Sequence, residues 1–126
     1  MGLILKSTPN DARDVKGRKV AKQVQAEPQI PVPREQVAAV CQRYHIRTLA
    51  LFGSVLRADF ADDSDVDVLV EFEPGRTPGY FTLARIAWEL SPLLDGHEID
   101  IRTPNGLSPY FRDEVISSAY PVYGYG

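Results

Sequence analysis

The sequence contains one cysteine, no lysine beyond Lys22, and no apolar run approaching the ~20 residues that span a bilayer. Each shortage excludes something. Cys41 has no partner within the chain, and with no CxxC or Cys/His cluster neither a disulfide scaffold nor a structural zinc site can form. The expected compartment is therefore the cytoplasm, and no membrane role is expected. The opening MGLILKSTPND has only a short apolar patch and reads as neither signal peptide nor anchor. What is present is ordinary globular composition: 126 residues, 44% hydrophobic, 25% charged and 10% aromatic. A chain of this length suits one domain that buries roughly two thirds of its unfolded surface without a staple. It is short for a catalytic domain plus a separate substrate domain.

The net charge of -3 conceals two regions. Residues 1–27 carry Lys6, Arg13, Lys16, Arg18, Lys19 and Lys22 against Asp11, Asp14 and Glu27, a local excess of three positive charges. The remainder is strongly acidic, and all of its cations are arginine. Between the two lies EPQIPVP, whose prolines cannot continue a helix and favour an extended connector. Residues 1–30 are thus expected to form a basic, poorly ordered extension and residues 31–126 the folded domain. A tail with its cations mixed among acids reads as solvated, and nucleic acid is not an expected partner.

Beyond the connector the pattern becomes periodic. Val37, Val40, Cys41 and Tyr44 repeat at helical spacing behind Pro33, read as a first helical position, which makes Cys41 a small buried hydrophobe. Arg47 to Phe52 and Val66 to Phe72 are strands by their apolar, valine-rich runs. Leu83, Ile86, Ala87 and Leu90 predict a second helix, closed by Gly96, and Glu98 to Arg102 a third strand. Ser108 caps a final helix with Pro109 in its first turn and Phe111, Val115 and Ala119 as a buried stripe. Tyr44, Trp88 and Phe111 read as core or interface, and His45 and His97 as surface or helix-end residues.

The chemistry concentrates between Gly53 and Asp100. Gly53-Ser54 ends a strand and opens a short turn, where a glycine, a hydroxyl and exposed amides can cradle phosphate oxygens or simply make a turn. Asp65 and Asp67 are two apart in Asp63-Ser64-Asp65-Val66-Asp67, so strand alternation puts both carboxylates on one face. Like charges about 4 Å apart repel by about 4 kcal/mol at an effective dielectric of 20. From Asp59 to Glu73 there are seven acidic residues and no basic one, so a divalent cation is the expected relief. Asp100, in a third strand, can complete a set of three hard oxygen donors suited to Mg²⁺. Such a set beside a phosphate turn points to metal-assisted phosphoryl or nucleotidyl transfer.

The segments GSVLRADFADDSDVDVLVEF and EIDIRTPNGLSPYFRDEV resemble the minimal nucleotidyltransferase family of the DNA polymerase β-like superfamily, over residues 34 to 124. The resemblance implies an α/β nucleotidyltransferase fold, a small mixed β-sheet flanked by helices. It also implies that Gly53 and Ser54 hold a triphosphate, that Asp65 and Asp67 ligate two Mg²⁺ ions, and that Asp100 ligates the ion activating the acceptor. Arg57 is a candidate phosphate contact or a partner of Asp59 or Asp62. Glu98 lies outside the pattern, and Ala58 stands where many relatives have glycine. The implied reaction is attack by an acceptor hydroxyl on the α-phosphorus of ATP, with a HEPN-domain toxin as acceptor and this chain as its antitoxin. Docking is expected beside the metal site, through Tyr120 to Tyr125 or the loop around Tyr80. A catalytically silent binding module and a small-molecule nucleotidyltransferase are the alternatives, and homo-oligomerisation is left open.

Overall fold

Val37, Val40 and Cys41 are buried along one side of helix α1 (Arg34–Arg43), as their spacing requires. Pro33 caps this helix from outside rather than occupying its first turn. The computed structural model describes residues 27–124, so the basic extension up to residue 26 lies outside the described residues. After α1 come strand β1 (Ile46–Phe52), a 3₁₀ turn at Gly53–Leu56, strand β2 (Val66–Phe72) and helix α2 (Tyr80–Leu90), which continues into a 3₁₀ turn at Ser91–Leu94. Strand β3 (Ile99–Arg102), a short turn at Pro104–Gly106, helix α3 (Pro109–Ser118) and strand β4 (Tyr120–Tyr123) complete the order.

The four strands form one mixed sheet in the order β3-β2-β1-β4. β1 runs antiparallel to both β2 and β4, and β2 runs parallel to β3. Right-handed crossover from β2 through α2 to β3 puts α2 on one face; the return from β3 to β4 moves the other way across the sheet, which by the same rule puts α3 on the opposite face. The first face is the heart of the protein. Val66, Val68 and Val70 of β2 pack there with Leu49 and Leu51 of β1, Val37 and Val40 of α1, and Ile86, Leu90 and Leu94 of the α2 segment. The packing reaches back to Ile30, and the Gln29 amide donates to the Val55 carbonyl at 2.8 Å. Strand alternation turns Asp67 and Leu69 to the second face.

The structure corrects three expectations. The sequence reading ended in a helix, whereas a fourth strand follows it; Pro121 argues against a strand, yet an edge strand tolerates proline because one row of its amides faces no partner. Arg34 ties that strand to α1, donating to the carbonyls of Pro121 and Val122 and to the Tyr120 hydroxyl at 3.0 to 3.3 Å. Second, Phe111 and Val115 are not buried; α3 contains no buried residue, and only Ala119, just past its end, is enclosed. Third, of the two readings of Trp88, core or interface, its 77% exposure removes the core, and it lies with Phe81 on the side of α2 away from Leu83, Ile86 and Leu90. Cys41 and Tyr44 fit expectation, the former buried with its thiol pKa pushed up to about 12 by desolvation.

Gly124 follows β4 with φ of 85°, and a Cβ there would run into the Arg47 carbonyl oxygen and lie 3.0 Å from its carbon. Gly124→Ala is expected to destabilise by about 1–3 kcal/mol, the left-handed cost plus a backbone clash, limited by how easily the strand end can fray. Thermal unfolding of the variant beside Gly124→Asn, which tolerates that region better but keeps the clash, separates the two contributions.

Candidate active site

β1 delivers the first component of the site. Its last residue, Phe52, is extended, and the chain then reverses at Gly53 with φ of 78°, a left-handed conformation that glycine adopts without strain. The turn Gly53–Leu56 is too short to hold its first amides within itself, so these donors are directed outward. Ser54 Oγ reaches the Asp65 carbonyl at 3.5 Å, tying the turn to the acidic segment.

β2 and β3 deliver the carboxylates. Asp67 pairs with Asp100 in the parallel ladder and with Phe52 in the antiparallel one, so Asp67 and Asp100 stand side by side on the second face, next to Gly53. The fit is close: a Cβ on Gly53 would fall within van der Waals contact of Asp67 Oδ2. Asp65 sits one residue before β2 begins and is exposed, so it belongs to the loop end rather than the ladder. Burial raises the Asp67 pKa above the ordinary carboxylate value, Asp100 and Asp65 raise it further, and Arg102 opposes them. Asp67 and Asp100 therefore meet in the ladder, while Asp65 acts on Asp67 only through its charge.

Arg102 overturns the expectation that no arginine or lysine serves this cluster. It lies two residues after Asp100, on the same face of β3, and grips both carboxylate oxygens at 3.0 and 3.2 Å. A window restricted to residues 59–73 misses it because the sheet brings it in from another strand. Arg57 lies on the other rim, its Nε 3.4 Å from Asp59, with both groups exposed. Such a surface pair is worth less than about 1 kcal/mol.

His97, which the sequence suggests as a surface or helix-end residue, is only 7% exposed. Its Nδ1 lies 2.7 Å from the Ser64 carbonyl and its ring lies 4.7 Å from that of Phe60. Nothing in its local sequence signalled this, since its partners come from a loop more than thirty residues earlier.

Among the described residues no three His, Cys, Asp or Glu side chains converge tightly enough to form a ready metal cage. The convergent donors are two, Asp67 and Asp100. This still fits Mg²⁺, which keeps much of its water and commonly takes one or two carboxylates together with substrate phosphates. Burial first and the Asp100 charge next raise the Asp67 pKa, and a bound cation would offset both. A cleft of about 540 Å³ lies elsewhere, between α1 and the α2 segment, lined by Gln36, Arg43, Trp88 and Leu93 among others; it is on the helix-covered side and adds nothing to the acidic site.

The model of the nucleotidyltransferase domain family matches residues 33–120. The chain belongs to that family. It is 29% identical over 89 residues to a Methanocaldococcus jannaschii chain with the assigned name protein adenylyltransferase MJ0435, covering 71% of this chain and 92% of that one. A solved structure described as a minimal nucleotidyltransferase is 42% identical, covering 70% of this chain and 87% of that one, with a TM-score of 0.57. A toxin–antitoxin structure with AMP-PNP shares the fold at 18% identity, with 74% of each chain covered and a TM-score of 0.59. The mixed sheet with its helices is therefore the nucleotidyltransferase fold that the Gly-Ser and Asp-x-Asp motifs implied, and the nucleotidyltransferase domain accounts for most of the described chain.

Proposed function

We propose that this nucleotidyltransferase moves AMP from ATP to a hydroxyl of a protein partner, and that the partner is the HEPN-domain toxin that it neutralises in the cytoplasm. The observation that carries the transferase chemistry is the side-by-side pairing of Asp67 with Asp100 beside the Gly53 turn. The protein acceptor is supported by the adenylyltransferase name of the relative and by the toxin–antitoxin context of the structural neighbour.

Asp65, Asp67 and Asp100 are the residues to hold Mg²⁺, as two ions with the nucleotide. Bound there, the metal would supply Lewis acidity to the attacking and leaving oxygens. The chain's own groups do the rest. The Gly53-Ser54 turn offers amides and a hydroxyl to the triphosphate, and Arg57 leaves Asp59 to meet a phosphate. Arg102 fixes the orientation of the Asp100 carboxylate through two oxygens, as a bidentate guanidinium can. The acceptor hydroxyl then attacks the α-phosphorus in line and pyrophosphate leaves. Placement of that hydroxyl is left to the partner, so transfer is slow until docking orients it.

The two expected docking stretches fare differently. Tyr120 and Tyr123 are half-buried in β4, and the Tyr120 hydroxyl already bonds Arg34, while Tyr125 lies outside the described residues. Tyr80 is 79% exposed but begins α2 at the Phe72 end of β2, a strand's length from Asp67.

One observation favours a second reading. The Arg102 grip on Asp100 would suit a site that has ceased to bind metal and kept only the fold for covering a partner. Incubation of the protein with ATP, Mg²⁺ and the HEPN-domain protein encoded beside it separates these. Intact mass should show added AMP on the partner, lost with Asp65→Asn; a partner left unmodified yet inhibited equally by that variant establishes the binding module.

A further inference from the structure

The loop from Arg57 to Asp65 must bring Asp65 to the acidic pair, and it has little regular structure with which to do so. Within it the Phe60 amide donates to the Arg57 carbonyl at 3.1 Å, the Ser64 amide to the Ala61 carbonyl at 3.1 Å and the Ala61 amide to Ser64 Oγ at 3.3 Å, beside the exposed Arg57–Asp59 pair. These shape the loop but do not fix where it sits against the sheet. The strand ladder begins only at Val66, whose amide donates to the Glu98 carbonyl at 2.8 Å.

His97 supplies a closer attachment than the 3.5 Å contact of Ser54 Oγ with the Asp65 carbonyl. The Ser64 carbonyl can only accept, so the Nδ1 at 2.7 Å must carry the proton. The ring packs on Phe60, which is itself half-buried against the core. His97 is in turn held from behind. Ser91 Oγ donates to its carbonyl at 2.7 Å, and Asp95 and Gly96, both in left-handed conformations, turn the chain from Leu94 into it. One buried side chain thus joins the residue before Asp65 to the strand that carries Asp100 three positions later.

We infer that His97 is a positioning residue for the acidic site: its Nδ1–H fixes the Asp65 loop at the height where Asp65, Asp67 and Asp100 act together. The inference rests on the nucleotidyltransferase reading of those acids. It asks only that Nδ1 carry its proton.

Three variants of the full chain separate the donor from the ring. His97→Phe keeps the ring on Phe60 and removes the donor. His97→Asn loses the ring but places an amide N–H where Nδ1 was. His97→Gln carries the same amide one bond too far. Two readouts are taken, hydrogen exchange of residues 63–66 without metal or nucleotide, and binding of Mn²⁺ with ATP. Groups that orient metal ligands typically change affinity 10- to 100-fold when lost. His97→Phe and His97→Gln are therefore expected to speed exchange in the loop and to weaken Mn²⁺ binding by about tenfold or more. His97→Asn should stay within about threefold of the parent in both. A His97→Phe protein that matches the parent in both readouts overturns the inference; so does equal loss in all three variants, which is what simple core disruption gives. Should His97→Phe fail to fold, the Asn and Gln pair decides alone. If the parent binds no Mn²⁺ with ATP, the reading of the acids fails instead, and the exchange arm alone decides whether His97 holds the loop.

Discussion

Replacing Asp67 by asparagine is expected to lower nucleotidyl transfer by at least about a thousandfold while the metal-free protein melts no lower than the parent. The first effect follows from the several kcal/mol that metal coordination contributes to a transition state in which charge develops on the attacking and leaving oxygens. The second follows from electrostatics without metal. Asp67 is half-buried, flanked by Asp100 and Asp65, and its pKa is raised chiefly by burial and next by Asp100. A carboxyl with a raised folded pKa binds its proton more tightly folded than unfolded, so the folded state loses stability as pH rises through that range and regains it on acidification. Asparagine removes the charge, and its advantage should be present at neutral pH and vanish as the pH falls through the carboxylate range. Arg102 tempers the gain, because the variant deprives it of one nearby anion. Melting curves of both proteins from pH 4 to 8 in chelator, beside turnover in Mg²⁺, test the two halves separately. A variant that melts well below the parent at pH 7 would make Asp67 a structural residue.

Much of this site was legible because its components are local. The bounds of β2, the Ser108 cap of α3 and the alternation that sets Asp67 against the valines all depend on neighbours in sequence, and the structure places them as read. What was not legible depends on which strand lies beside which. Asp100 reads as a third carboxylate from its place in a third strand and from the family resemblance; its pairing with Asp67 is a property of parallel register. Arg102 was within reach, since residues two apart on a strand share a face, but attention to charge in one segment hid a cation in another. The exposure of Trp88 shows a different limit. Apolar residues on α2 occupy two sides, and periodicity identifies both without telling which one the sheet covers. His97 had no local signature at all, because a buried polar residue declares itself only through the carbonyl it satisfies.

Gly53→Ala is expected to remove activity by a route other than charge, and to show why a turn beside an acid needs no side chain. Its φ of 78° costs an alanine about 1–2 kcal/mol in any surroundings. A Cβ there would also press on Asp67 Oδ2 and lie 3.3 Å from its Cγ. The obstructing atoms belong to the end of a side chain rather than to backbone, so the fold has an inexpensive escape: Asp67 rotates away. Stability should therefore fall by little more than the backbone cost, a loss of roughly 5–15 °C in Tm for a domain of this size. Function should fall far more, because the rotated carboxylate no longer stands beside Asp100, and the turn that offers amides to phosphate is displaced with it. A double-mutant cycle makes the claim sharp. In an Asp67→Ala background the added Cβ meets no carboxylate, so Gly53→Ala should cost only its backbone strain there, and the two losses of Mn²⁺ and ATP binding should sum to more than the double variant shows. Strict additivity, with Mn²⁺ and ATP binding of Gly53→Ala unchanged, would mean that the glycine serves the chain reversal alone and that the Asp67 carboxylate does not depend on the space it leaves.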